Sequence, residues 1–140
     1  MQIPTFEGIM TVVTTPFDKN GAIAYDALGK HLDFLIANGV HYIIPGGTTG
    51  EYYAQTIDER REVLAYVAGR VGKRVRLAAG TNSVRPADTI ELSNYAKDLG
   101  YEALMMGPVE FDAKGELKQP SLYLYKVDGN GFVLEWPKSS

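Results

Sequence analysis

A short apolar run followed by an amphipathic helix recurs through residues 1–107, and no other feature constrains the fold as much. The runs are Ile9–Thr14, His41–Pro45, Val75–Ala79 and Ala103–Met106. None alternates with polar residues, and parallel strands covered on both faces read this way. The first helix is predicted over Tyr25–Ala37, with Leu28, Leu32, Leu35 and Ile36 on one face. The second is predicted over Ile57–Val71, with Val63, Leu64, Val67 and Val71 as its stripe. Thr56 and Glu59 have capping-box spacing at its start. The third is predicted over Pro86–Leu99, with Leu92, Tyr95, Ala96 and Leu99 inward. Glycines end the helices at 39, 72 and 100 and follow the strands at 46, 80 and 107.

A repeat of about thirty residues is one strand plus one helix. Successive units of this kind imply right-handed crossovers in a barrel or an open sheet. Four strands are half of an eight-stranded TIM barrel. The expected fold is therefore α/β: a (βα)-repeat half-barrel with four parallel strands over residues 1–107. An open, flavodoxin-like sheet is the alternative. The repeat breaks at Gly107-Pro108. Val109–Phe111 is short and strand-like, and residues 112–115 are turn-like. Ser121–Val127, with Tyr123, Tyr125 and Val127 on one face, and Phe132–Trp136 flank the turn Asp128-Gly129-Asn130-Gly131. That is the signal of a C-terminal β-hairpin. Residues 108–140 are thus expected to be a β-rich tail packing on the same single domain.

Composition enters by exclusion. A net charge of -3 gives no reason to expect nucleic acid or an anionic membrane as partner. No stretch approaches the roughly 20 apolar residues of a membrane span. Met1–Gly8 lacks a basic segment followed by an apolar run, so the expected location is cytoplasmic. With no cysteine, disulfides, zinc–thiolate sites and cysteine nucleophiles are excluded. His31 and His41 have no second metal-binding group at suitable spacing, and no metal or cofactor is expected.

Chemistry concentrates in Gly46-Gly47-Thr48-Thr49-Gly50-Glu51, just past the second strand. In parallel α/β proteins, sites gather where strands end and helices begin. Glycines there let backbone approach a ligand, and two hydroxyls beside backbone N–H groups suit a carboxylate. A tight strand-to-helix turn with local threonine hydrogen bonds is the competing reading. Tyr52 and Tyr53 read as helix–sheet packing.

Gly8-Ile9-Met10-Thr11 with Thr15-Pro16-Phe17, then Gly46–Glu51, then Thr56-Ile57-Asp58-Glu59-Arg60-Arg61, then Gly80-Thr81-Asn82 resemble the opening of the dihydrodipicolinate synthase and N-acetylneuraminate lyase family. The resemblance implies an eight-stranded barrel and a class I aldolase, lyase or dehydratase that binds pyruvate or another 2-oxo acid as a Schiff base. It implies that Thr49 holds the substrate carboxylate, that Gly50 belongs to the same turn, and that Thr48 joins a hydroxyl proton relay. The family takes its Schiff-base lysine from the sixth strand and a tyrosine from the fifth. No lysine here, at 19, 30, 73, 97, 114, 118, 126 or 138, follows that lysine motif. Where the family places a tyrosine pair after the fourth strand, this sequence reads Pro108-Val109-Glu110-Phe111.

The tail, Gly107–Glu116 with Leu122–Val127, is similar to the C-terminal segment of periplasmic amino-acid-binding proteins of the branched-chain type. Two families meeting at one Gly-Pro imply an engineered chimera. The resulting expectation is a non-catalytic scaffold with a vestigial carboxylate site at Thr48, Thr49 and Gly50. The alternatives are a Schiff-base lyase or dehydratase acting on pyruvate or another 2-oxo acid, and a weak binder of small carboxylates or anions. Ile9, Val12, Ile43, Ile44, Leu77, Leu104 and Met106 are the expected strand core. Half a barrel leaves part of that core uncovered, which favours a homodimer.

Overall fold

The computed structural model describes residues 6–107, 123–129 and 131–136. The chain runs β1 (Met10–Val12), α1 (Tyr25–Ala37), β2 (Tyr42–Ile44), two short 3-10 turns, α2 (Ile57–Val71), β3 (Arg76–Gly80), α3 (Pro86–Asp98), β4 (Ala103–Met106), β5 (Tyr123–Asp128) and β6 (Gly131–Trp136). All six strands form one sheet in chain order. The first four are parallel, and β5 and β6 join antiparallel, which makes the sheet mixed. A doubly wound sheet reverses its strand order at a switch point. This sheet has no reversal, so the flavodoxin-like alternative is set aside.

Local chemistry fixes the helix ends. At α2 the Glu59 N–H donates to Thr56 Oγ1 at 3.2 Å, and the Thr56 N–H donates to the Glu59 carboxylate at 2.8 Å. This closes the expected capping box. The α1 C-terminus is tied by Asn38 Nδ2 donating to the Phe34 carbonyl at 2.8 Å. α3 opens with Pro86 in its first turn and stops one residue earlier than expected, with Leu99 as its cap.

The strands divide their side chains between two faces with period two. One face carries Val13, Ile43, Leu77, Ala79 and Leu104, which pack with Leu28 and Leu32 of α1, Val63, Leu64 and Val67 of α2, and Leu92 and Ala96 of α3. The other carries Ile44, Ala78 and Ala103, bordered by Phe6, Met10, Val12, Met105 and Leu124. Each Leu or Val fully buried on the helix face contributes on the order of 1.5–3 kcal/mol. Tyr101 completes that core: its hydroxyl donates to the Leu64 carbonyl at 2.9 Å, and burial pushes its phenol well above the usual range.

Several expectations need correction. Ile9 is 58% exposed and lies before β1, outside the core. β1, β2 and the start of β3 are shorter than the apolar runs that announced them. Gly80 is the last residue of β3 rather than a residue past it. The hairpin forms, with Gly129 at φ 54 in its turn, and extends the sheet from β4. Tyr125 and Phe132 reach the helix-side core while Leu124 reaches the other face. Val109–Phe111, residues 112–115, Ser121 and Leu122 lie outside the described residues.

Candidate functional site

The C-terminal ends of the parallel strands bring Thr15, Gly46–Glu51 and Gly80–Asn82 to one rim of the sheet. β2 and β3 meet there through glycine. The Gly80 N–H donates to the Pro45 carbonyl at 2.8 Å. Gly46 has φ +78, and a Cβ on it would lie 2.5 Å from the Gly80 carbonyl oxygen. A Cβ on Gly80 would lie 2.5 Å from the Gly46 carbonyl and 2.6 Å from the Gly47 nitrogen. Backbone meets backbone at this contact, so no larger residue fits without moving a strand.

Past that contact the chain tightens into a 3-10 turn over Thr48–Gly50. The Gly50 N–H donates to the Gly47 carbonyl at 3.0 Å and the Glu51 N–H to the Thr48 carbonyl at 2.9 Å. Gln55 Nε2 donates to the Gly50 carbonyl at 2.7 Å and closes the turn from outside. A Cβ on Gly50 would meet the Val13 carbonyl at 2.9 Å and Thr15 Oγ1 at 3.2 Å, so glycine lets the turn lie against the end of β1. Glu51 leaves the turn at φ 55, a left-handed conformation that costs a non-glycine residue energy. Thr48 and Thr49 are exposed and Gly50 is buried. The three expected site residues therefore share one turn, with both threonines on the surface side.

Two polar links set the neighbouring strand ends. Ser93 Oγ donates to the buried Thr81 Oγ1 at 3.0 Å. Asn82 Oδ1 accepts from the Gly107 N–H at 2.7 Å, tying the end of β4 to the loop after β3. Behind the turn lies Arg60, which is buried. Its Nη2 donates to the Gly80 carbonyl at 3.4 Å, and its guanidinium stands 4.9 Å from the centre of the Tyr52 ring. Its Nε is buried and makes no hydrogen bond. Burial pulls its pKa below the usual range, opposed by the nearby Tyr52 and Asp88. The sequence reading passed over Arg60 as a site residue. The available signal was its place three and four residues before Val63 and Leu64, on the buried stripe of α2.

Other candidates fall elsewhere. Tyr52 is half-buried against Arg60, whereas Tyr53 is 68% exposed and does not pack between helix and sheet. His41 Nδ1 accepts from the Ile9 N–H at 2.9 Å, and His31 is half-buried in α1. Lys126 pairs with Ala103, the first residue of β4, and so lies at the rim opposite the threonines. Lys19, Lys30 and Lys73 are exposed. Among the described residues, no group of three His, Asp or Glu side chains could hold a metal ion. No helix among them is long and apolar enough to cross a membrane. An open cleft of about 680 Å³ at the opposite rim is lined by His41, Tyr42, Arg74, Arg76 and Glu102 among others. Arg76 is bound to Glu102 at 2.7 Å and Arg74 to Asp33 at 2.8 Å, so both arginines there already have partners.

A parallel-stranded α/β segment with a glycine-built turn at its C-terminal rim has the architecture of part of a (βα) barrel. Residues 5–108 match the dihydrodipicolinate synthetase family, and the chain belongs to that family. It is 44% identical over 101 residues to a 4-hydroxy-tetrahydrodipicolinate synthase of Staphylococcus haemolyticus, covering 72% of this chain and 34% of that protein. It is 41% identical over 100 residues to one from Methanococcus maripaludis, covering 71% and 34%. The fold superposes on dihydrodipicolinate synthase from Aquifex aeolicus with a TM-score of 0.72 at 29% identity, covering 78% of this chain and 38% of that one. It superposes on N-acetylneuraminate lyase from Mycoplasma synoviae with a TM-score of 0.71 at 30% identity, covering 76% and 37%. The chain spans about a third of the length of the curated relatives it matches.

These matches overturn the expectation of a non-catalytic engineered chimera. The segment that carries the glycine–threonine turn belongs to a synthase family, and its relatives bear the names of enzymes. None of these matches supports a periplasmic-binding-protein origin for the tail.

Proposed function

We propose that the chain is the carboxylate-binding part of a Schiff-base lyase or dehydratase acting on pyruvate or another 2-oxo acid. Thr49 holds the substrate carboxylate, Thr48 relays a proton through its hydroxyl, and Gly50 lets the turn sit against β1. The observation that carries this reading is the 3-10 turn itself: two exposed threonines at the C-terminal rim, held by the Gly46–Gly80 backbone contact. A hydroxyl pair beside a 3-10 turn gives a carboxylate short, directional donors. The covalent step is attack of a neutral lysine amine on the ketone carbon, followed by loss of water to give the imine. The family resemblance assigns that lysine to a sixth barrel strand, beyond the four parallel strands described. Residues 1–107 would be the barrel segment, with 108–140 added to the same domain.

For the partners, a small carboxylate at the turn is the primary proposal, and a homodimer covering the half-buried Met10, Val12 and Met105 is the assembly it would adopt. Titration with pyruvate, followed residue by residue by amide NMR, tests the site. Perturbations should centre on Thr48, Thr49 and Gly50 and disappear in Thr49→Val. Perturbations that persist in Thr49→Val would move the ligand elsewhere and end this reading.

A further inference from the structure

Arg60 is the one charged residue among the buried residues of the described chain. Taking a guanidinium out of water is costly unless an acid or a full set of acceptors repays it. Neither is present. The described ion pairs do not include Arg60, its single hydrogen bond is long at 3.4 Å, and its Nε has no acceptor. The Tyr52 ring face at 4.9 Å offsets part of the cost without neutralising the charge. The cation is also placed with respect to the turn. The carbonyl that accepts from Arg60 is that of Gly80, the same oxygen that a Cβ on Gly46 would approach to 2.5 Å. Tyr52 follows the turn by two residues. Arg60 thus touches the turn's support from both sides, while its charge is offset only at a distance by Asp88 and has no direct ion pair.

We propose that Arg60 is a positioning residue for the substrate turn: it clips β3 to the Gly46–Glu51 segment, and its charge, which no ion pair neutralises, draws an anionic carboxylate onto Thr48 and Thr49. The substrate carboxylate adds negative charge on the turn side of Arg60. This inference rests on the reading of the turn as a carboxylate site. A charge acting through partly buried protein reaches farther than one in water, so no direct contact with substrate is required.

The test compares pyruvate with its uncharged methyl ester by amide NMR titration of the wild type, Arg60→Met, Arg60→Lys and Thr49→Val. Arg60→Met should weaken pyruvate roughly fivefold or more and leave the ester within about twofold, because only the anion feels the charge. Arg60→Lys, which keeps the charge, should recover most of the pyruvate affinity. The thermal midpoint of Arg60→Met should equal or exceed that of the wild type, since replacing a desolvated charge by an apolar side chain of similar length removes a cost. Equal weakening of acid and ester would make Arg60 a mere structural tie and overturn the proposal. Unchanged pyruvate affinity in Arg60→Met with a loss in Thr49→Val would overturn it and leave the carboxylate reading standing. Insensitivity to both substitutions would remove the carboxylate reading and this inference together. Should Arg60→Met not fold, Arg60→Gln is the second neutral variant, and failure of both to fold would also overturn the proposal.

Discussion

The two faces of the sheet are built from the same strands and do different work. On the helix side, Ile43, Leu77 and Leu104 interlock with Leu28, Leu32, Leu64 and Leu92, and none is more than 6% exposed. On the opposite side, the fully buried side chains are Tyr42, which packs on Phe6, with Ile44, Ala78 and Ala103, while Met10, Val12 and Met105 are only half-buried. Large branched residues on one face give the segment its stability. On the other, β2 and β3 come closest at the strand ends, where Gly46, Gly47 and Gly80 let backbones touch. Stability is concentrated away from the turn, and geometry is concentrated at it.

Truncation on each face breaks that comparison most directly. Leu64→Ala should cost about 2–5 kcal/mol, because the site lies deep among three helices and cannot collapse. Met105→Ala should cost about 1 kcal/mol, because a half-exposed, flexible side chain loses less transfer energy. Urea unfolding of both variants measures the difference. Equal losses would mean that the second face is packed as tightly as the first.

Glycine substitutions sharpen it next. In Gly80→Ala the new methyl would stand 2.5 Å from the Gly46 carbonyl, and neither backbone can yield cheaply. The expected cost is about 1–3 kcal/mol, together with weaker pyruvate perturbation at Thr48–Gly50. At Gly69, inside α2, an added methyl would meet nothing within 4 Å, and Gly69→Ala should stabilise by about 0.5–1 kcal/mol. Thermal unfolding with the NMR titration reads both. Normal binding in Gly80→Ala would show that the close contact does not hold the turn.

Much of this architecture was legible in sequence, for reasons that particular residues make plain. α1 and α2 span the expected residues; the start of α2 and the ends of both are set by chemical stops, a capping box at Thr56 and Glu59 and glycines just beyond the last turns. Strand ends were overextended, since hydropathy marks what is apolar and a ladder marks what is paired; Ile9 is apolar and lies outside β1. The turn was visible through its glycines and threonines. Arg60 was not, because a charged residue on a helix reads as solvated unless its position on the apolar stripe is weighed above its charge. The chimera reading failed because it rested on a likeness of about 30 residues, too short to outweigh a family match across residues 5–108.

The helix layer has a boundary of its own, and its capping is a smaller lever. Thr56→Ala removes the acceptor for the Glu59 N–H and should cost about 1 kcal/mol without changing pyruvate binding. Denaturant unfolding beside the titration separates the two effects. A loss of binding here would mean that the start of α2 transmits to the turn, which the two-face comparison does not expect.

The smallest expected effect lies on the solvent side of that layer, where Asp33 of α1 joins Arg70 and Arg74 across the α1–α2 seam. Hydrogen bonds from Arg70 and then Arg74 hold the Asp33 carboxyl below its ordinary value of 3.8. A depressed acid stabilises the fold above its unfolded pKa, and that contribution is lost as pH falls through the lower folded value. The stability difference between wild type and Asp33→Asn should therefore be constant near neutral pH and close only as pH drops below about 3.8. All three side chains are well exposed, so salt should shrink the difference across the whole range. Urea unfolding of the two proteins from pH 7 to pH 3, at low and high salt, measures it. A difference that survives acid would mean that Asp33 contributes through packing rather than charge, and the helix layer would then extend its apolar core farther outward than its exposed ion pairs suggest.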